Sequence, residues 1–167
     1  PLPLAIDLYV ALPRPKVVPR LIQAATNLGI KTIYLFNAAR VEKVYWSCAQ
    51  LASAELRRAS LLGLEQACDT KLPQIYLRRL FNPFVEDELP NLLNSTRALV
   101  AHPSAAVVCP RGPAADQQRT ALAIGPEGGF VPYELEKLQE AGMKPVRSLD
   151  RILKVETALA SLIGRLT

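Results

Sequence analysis

Histidine, tryptophan and methionine occur once each in this chain, and that scarcity already excludes several chemistries. With His102 as the single histidine, a multi-histidine metal site is impossible, and a Ser–His triad would have to be built on that residue. The three cysteines, Cys48, Cys68 and Cys109, are odd in number, widely spaced and form no Cys-x-x-Cys pair. That pattern argues against a zinc site or a disulfide framework and for a reducing compartment, here expected to be the cytoplasm. Half of the residues are hydrophobic, yet no run approaches the roughly 18 apolar residues of a membrane helix. No Gly-x-Gly-x-x-Gly follows the first apolar segment and no P-loop occurs, which sets aside a dinucleotide-binding domain. No repeat, low-complexity tract or signal-peptide pattern is present. The chain begins at Pro1 without an initiator Met, so a piece of a longer protein is expected.

What is there is enough for one domain spanning residues 1–167, large enough to bury a core without staples. Strands are expected at Leu4–Ala11, Lys31–Phe36, Gln74–Leu77, Arg97–Ala101, Thr120–Ile124 and Lys144–Leu149. Helical periodicity falls at 17–28, closed by Gly29, at 43–67 in one or two pieces, from Pro132 to Ala141, and at 154–166. A short acidic helix, Pro83–Leu93, is disturbed by Pro90. Residues 104–118, with Pro110-Arg111-Gly112-Pro113, read as loop. Alternating strand and helix predict an α/β fold with a parallel sheet covered on both faces.

Charge is unevenly placed. Residues 1–60 hold eight Lys/Arg against three Asp/Glu, whereas residues 61–167 hold twelve of each. The surplus in the first third suits contact with a polyanion. Arg14, Lys16, Arg20, Arg40 and Lys43 are the candidate RNA-binding residues.

Three strand ends in the second half carry unusual residues: Ala101-His102-Pro103, Gly125 to Gly129, and Ser148 to Ala158. The middle one follows a charge-free apolar strand and packs three glycines and a proline into five residues. Such a turn lets a ligand approach bare backbone at the C-terminal end of a strand, where open α/β sheets place their sites. The last one sets Asp150, Arg151, Lys154 and Glu156 among aliphatic Leu149, Ile152, Leu153 and Val155. That interleaving walls an apolar pocket and presents ions at its mouth.

Gly-Pro-Glu-Gly-Gly-Phe at 125–130, followed by Arg-Ile-Leu-Lys-Val-Glu-Thr-Ala at 151–158, resembles the bacterial small-subunit ribosomal RNA uridine-N3 methyltransferases of the SPOUT superfamily. Leu28-Gly29-Ile30, Arg40-Val41-Glu42-Lys43 and Gly63-Leu64-Glu65-Gln66 extend the resemblance over nearly the whole chain. It implies an α/β sheet whose C-terminal segment is threaded through a trefoil knot, S-adenosylmethionine (SAM) held by the knotted loops, and a homodimer. It implies an RNA substrate in the small ribosomal subunit, and an N-terminal PUA-like domain that this chain lacks. SAM would contact Ala101, His102, Pro103, Ile124, Gly125, Pro126, Glu127, Gly128, Leu149, Ile152, Leu153, Thr157 and Ala158, with His102 shaping the pocket and Thr157 acting as a helix cap.

Methyl transfer to uridine N3 needs in-line positioning and an ionised nitrogen. Arg151 is the candidate for holding the uracil oxygen or a phosphate, being always charged and forked. Glu127 and Glu156 are both candidates for proton acceptor or SAM contact. Three positions depart from the family pattern. Ser148-Leu149-Asp150-Arg151 stands where a Leu-Gly-x-Arg is usual, which bears on the adenosine pocket. Cys68-Asp69 follow Glu-Gln where an Arg is usual, which bears on one RNA contact. Lys154 replaces the commoner Arg and gives up bidentate geometry. The alternatives are a methyltransferase for another RNA position, ribose 2′-hydroxyls included, and a non-catalytic RNA-binding or ribosome-assembly module.

Overall fold

Six short apolar strands lie side by side, all parallel, in the order β3-β2-β1-β5-β4-β6. They are β1 Ile6–Ala11, β2 Thr32–Phe36, β3 Gln74–Arg78, β4 Thr96–Ala101, β5 Arg119–Ile124 and β6 Lys144–Val146. The computed structural model describes residues 1–167, the side chain of Gln117 excepted. Central β1 and β5 are buried on both faces over their apolar stretches, residues 8–11 and 121–124, and carry their charges, Asp7 and Arg119, at the N-terminal end. Parallel pairing forces a crossover between successive strands, and helices supply most of them.

One face is covered by α1 (Val18–Asn27), α2 (Ser53–Ala67) and α5 (Val155–Leu166). α1 buries Val18, Leu21, Ile22 and Ala25 at helical spacing. α2 packs on α1 at Gly63, where a Cβ would stand 2.6 Å from the Gln23 carbonyl oxygen. The other face carries a π-helical turn (Pro83–Glu88) running into α3 (Leu89–Leu92), together with α4 (Pro132–Glu140). The π turn is the local consequence of Pro90. Proline has no N–H and its ring clashes with the carbonyl four residues back, so the preceding turn widens. Leu89 N–H accordingly bonds the Phe84 carbonyl.

On this second face the tyrosines of three neighbouring strands form a row. Tyr9 stacks on Tyr34 at 5.1 Å and Tyr34 on Tyr76 at 4.7 Å between ring centroids. Burial, with the nearby Asp7 carboxylate, pushes the Tyr9 hydroxyl well above its ordinary pKa.

The expected helix over 43–67 is α-helical only from Ser53. Lys43–Ser47 and Ala49–Leu51 are 3₁₀ turns, and the first of them buries Trp46. The last strand is also shorter than its sequence suggests. β6 leaves β4 after Val146, and Arg147 then pairs with Val108 in the 104–112 segment. Arg147 N–H bonds the Val107 carbonyl at 2.9 Å, and Cys109 N–H bonds the Arg147 carbonyl at 2.8 Å. The C-terminal segment therefore runs between β4 and the 104–112 strap.

Three arginines hold that strap by its carbonyls. Arg97 reaches Gly112 at 3.0 Å, Arg147 reaches Ala105 and Ala106, and Arg165 of α5 reaches Cys109. Cys109 is buried under them, and burial pushes its thiol up.

Candidate active site

Every strand points its C-terminal end at the same edge, so the loops after β4, β5 and β6 meet there. They enclose a cavity of about 230 Å³. Ala101, His102 and Pro103 line it from the end of β4. Ile124, Gly125, Pro126, Glu127, Gly128 and Phe130 line it from the glycine-rich turn after β5. Leu149, Arg151, Ile152 and Leu153 come from the loop after β6, and Val155, Ala158 and Leu162 from α5.

The turn after β5 takes its shape from packing and from one backbone demand. Gly129 has φ +78°, the left-handed region that a side chain rarely adopts. A Cβ on Gly125 would meet the Phe130 ring at 3.2 Å. Phe130 is itself fixed by stacking on Phe36 at 6.0 Å.

The turn is also tied to the loops after β1 and β2. Arg14 N–H donates to Glu127 Oε1 at 2.9 Å, and the Arg40 guanidinium donates to the Gly128 carbonyl. Behind it sits Glu134, 3% exposed, whose carboxylate accepts Ala39 N–H at 2.7 Å and Val131 N–H at 3.0 Å. This buried anion lies in the first turn of α4, where the helix dipole favours it.

Of the expected site residues, twelve of the thirteen SAM candidates line the cavity, and Arg151 lines its exposed rim. Glu156 and Thr157 do not line it. Val155, Ala158 and Leu162 form the stripe of α5 that faces inward, and at 100° per residue the two between them turn away. That separates the two carboxylates, since Glu127 is in the wall and Glu156 is outside it. Arg14, Lys16, Arg20, Arg40 and Lys43 are all exposed and lie on loops or helix starts at the same edge as the cavity. Cys68 and Asp69 lie at the opposite edge. Asp69 pairs with Lys31 at 2.5 Å, and that bond is the main reason its carboxyl is held down to about 2.

Sequence reasoning missed Phe130 and Leu162 as wall residues and Glu134 as the brace, whereas Val155 lines the cavity as its place among the aliphatics of that loop suggested. Phe130 had a signal in its place directly after the glycines. The tie from Glu134 to Ala39 spans 95 residues and had none. Among the described residues no His/Cys/Asp/Glu group is suited to a metal, and no helix is long and apolar enough to cross a membrane.

A parallel sheet covered on both faces, with a glycine-lined cleft over its strand ends, defines an α/β domain that binds a small ligand at that edge. The chain belongs to the RNA methyltransferase domain family, whose model matches residues 1–167. It is 27% identical over 154 residues to the ribosomal RNA small subunit methyltransferase E of Treponema pallidum (strain Nichols), covering 92% of this chain and 58% of that protein. Against ribosomal RNA small subunit methyltransferase E 2 of Borreliella burgdorferi it is 27% identical over 158 residues, 92% of this chain and 62% of that one. The chain thus spans about three fifths of the length of these relatives. The fold is shared with the crystal structure of the SAM-bound ribosomal RNA small subunit methyltransferase E from Neisseria gonorrhoeae. That likeness has a TM-score of 0.74 at 22% identity and covers 97% of this chain and 65% of that one.

Proposed function

We propose that this chain is the catalytic domain of a SAM-dependent methyltransferase that modifies N3 of a uridine in small-subunit ribosomal RNA. The observation that carries the reading is the convergence of three strand-end loops on one glycine-lined cavity, in a chain matched throughout by an RNA methyltransferase family. The names of the Treponema and Borreliella relatives support ribosomal RNA as the substrate, and the SAM-bound Neisseria structure supports the cofactor.

The residues present fit SAM. The aliphatic wall of Ile124, Leu149, Ile152, Leu153 and Ala158 suits an adenine ring, and Gly125 and Gly128 bring bare backbone to the cavity. When bound, SAM supplies a methyl group activated by its sulfonium. The chain's own part is positioning and charge. Arg151 holds a uracil oxygen or phosphate at the rim and favours the N3 anion. Glu127 takes the N3 proton in preference to Glu156, because it stands in the cavity wall. Its Oε1 is fixed by Arg14 N–H, which leaves Oε2 without a protein hydrogen bond among the described residues. Arg14, Lys16, Arg20, Arg40 and Lys43 hold the RNA backbone along the same edge.

Two further parts of the reading concern topology and assembly. The strap bonds of Arg147 and Cys109 support a C-terminal segment threaded in a trefoil knot. Ile152, 86% exposed beside the cavity, supports a homodimer in which a second copy covers it. Titration of SAM by calorimetry, followed by mass spectrometry of nucleosides from methylated small-subunit RNA, tests the reading. 3-Methyluridine is the expected product. A 2′-O-methylated or other product would refute the position, and absence of SAM binding would leave a non-catalytic RNA-binding module.

A further inference from the structure

A second hollow, about 420 Å³, opens on the same edge of the sheet and shares no lining residue with the candidate active site. The two are parted by a single peptide unit. Phe130 walls the first and Val131 the second, and consecutive Cα atoms are about 3.8 Å apart. The hollow is built by the loops after β2 and β3 against the start of α4. Leu80 and Tyr133, 66% and 47% exposed, form its sides. Isolated surface apolar residues are ordinary, but these two face one hollow beside the candidate active site.

The polar lining consists of amides. Asn37 Oδ1 accepts Trp46 Nε1–H at 3.1 Å, and Asn82 Oδ1 takes the Tyr133 hydroxyl at 3.4 Å. Neither NH₂ group has a protein acceptor among the described hydrogen bonds. The single carboxylate in the lining, Glu134, is buried and already accepts two backbone N–H groups. Cations stand around the hollow. Lys137 Nζ lies 5.6 Å over the ring of Tyr133, and Arg40 and Arg79 adjoin the lining residues Ala39 and Leu80 in sequence. Apolar and aromatic sides, amide donors, flanking cations and no bare anion are what an unpaired nucleobase and its phosphate require.

We infer that this hollow is a second base subsite, which takes the unstacked base of a nucleotide next to the one in the active site. The inference rests on the RNA methyltransferase reading of the adjoining cavity. It places the strand across Arg40 and over the Phe130–Val131 step.

The test compares the wild-type chain with a Tyr133→Ala, Leu80→Ala double variant. Both side chains are on the surface, so the fold is kept. The probes are a fluorescein-labelled single-stranded oligouridylate and an abasic oligomer of equal length, read by fluorescence anisotropy. The wild type is expected to prefer the base-bearing oligomer, and the variant to lose about 5- to 100-fold of that affinity. SAM affinity by calorimetry stays unchanged. With 4-thiouridine in the oligomer, cross-links are expected within residues 80–83 and 131–134. Variant affinity within about twofold of wild type, equal wild-type affinity for both oligomers, or cross-links wholly elsewhere would each overturn the subsite. Failure of the methyltransferase reading is seen apart from these, as a wild-type chain that gives no heat with SAM.

Discussion

Glutamate 134 should be a sensitive position although it stands outside the cavity wall. Its carboxylate bridges Ala39 N–H and Val131 N–H, and so joins the loop after β2 to the turn that carries Gly128. Glu134→Gln keeps the shape and one acceptor oxygen, but places an NH₂ group against one of the two buried donors. A lost hydrogen bond to a charged group costs about 1.5–3 kcal/mol. Removing the charge from the first turn of α4 adds about 0.5 kcal/mol. The sum is about 2–3.5 kcal/mol, or a fall in melting temperature of roughly 4–14 °C for a domain of this size. Urea titration gives the free energy directly. SAM affinity should fall as well, because Arg40 and Gly128 lose their common support. A variant within about 0.5 kcal/mol of wild type would show that the bridge is not formed in solution.

The other predictions are briefer. Arg151→Ala should lower methyl transfer by orders of magnitude while the melting curve stays put, and activity near wild type would remove Arg151 from the reaction. Neutralising Arg14, Lys16 and Arg20 together should flatten the salt dependence of RNA binding by roughly 2 in slope; an unchanged slope means the RNA runs elsewhere. Gly63→Ala should cost about 3 kcal/mol by forcing α1 and α2 apart, which thermal unfolding reads without reference to activity. Asp69 has its pKa lowered from 3.8 to about 2 in the folded chain, chiefly by the Lys31 hydrogen bond. Its contribution is therefore present above pH about 4 and is lost as pH falls toward about 2. Wild type and Asp69→Asn should differ in stability at neutral pH and converge across that window.

The six strands were legible because each is a short apolar run bounded by turn residues, and a sheet buried on both faces leaves no other place for such runs. The glycine-rich turn was legible for a related reason, since Gly125 to Gly129 fit neither regular element. The boundaries that failed have local causes. Trp46 is buried by a 3₁₀ turn, Lys43–Ser47, where periodicity suggested α-helix. β6 stops at Val146 because Arg147 pairs with Val108 instead of β4. Glu156 and Thr157 belong to the same motif as the cavity residues, yet helical rotation turns them out of the wall. The brace at Glu134 and the three arginines on the strap were invisible, because each joins segments far apart in sequence. A short stretch of chain carries no sign of its distant partner.

Order of synthesis gives the strap a biological edge. A ribosome delivers β6, the 148–153 loop and the α5 arginine after all the other elements described. Until they arrive, one wall of the cavity does not exist and the 104–112 carbonyls lack the Arg147 and Arg165 guanidinium donors. A prematurely terminated copy would keep most of its sheet and yet be unable to grip a cofactor. An incomplete chain would then lack the finished pocket and the strap's anchor together.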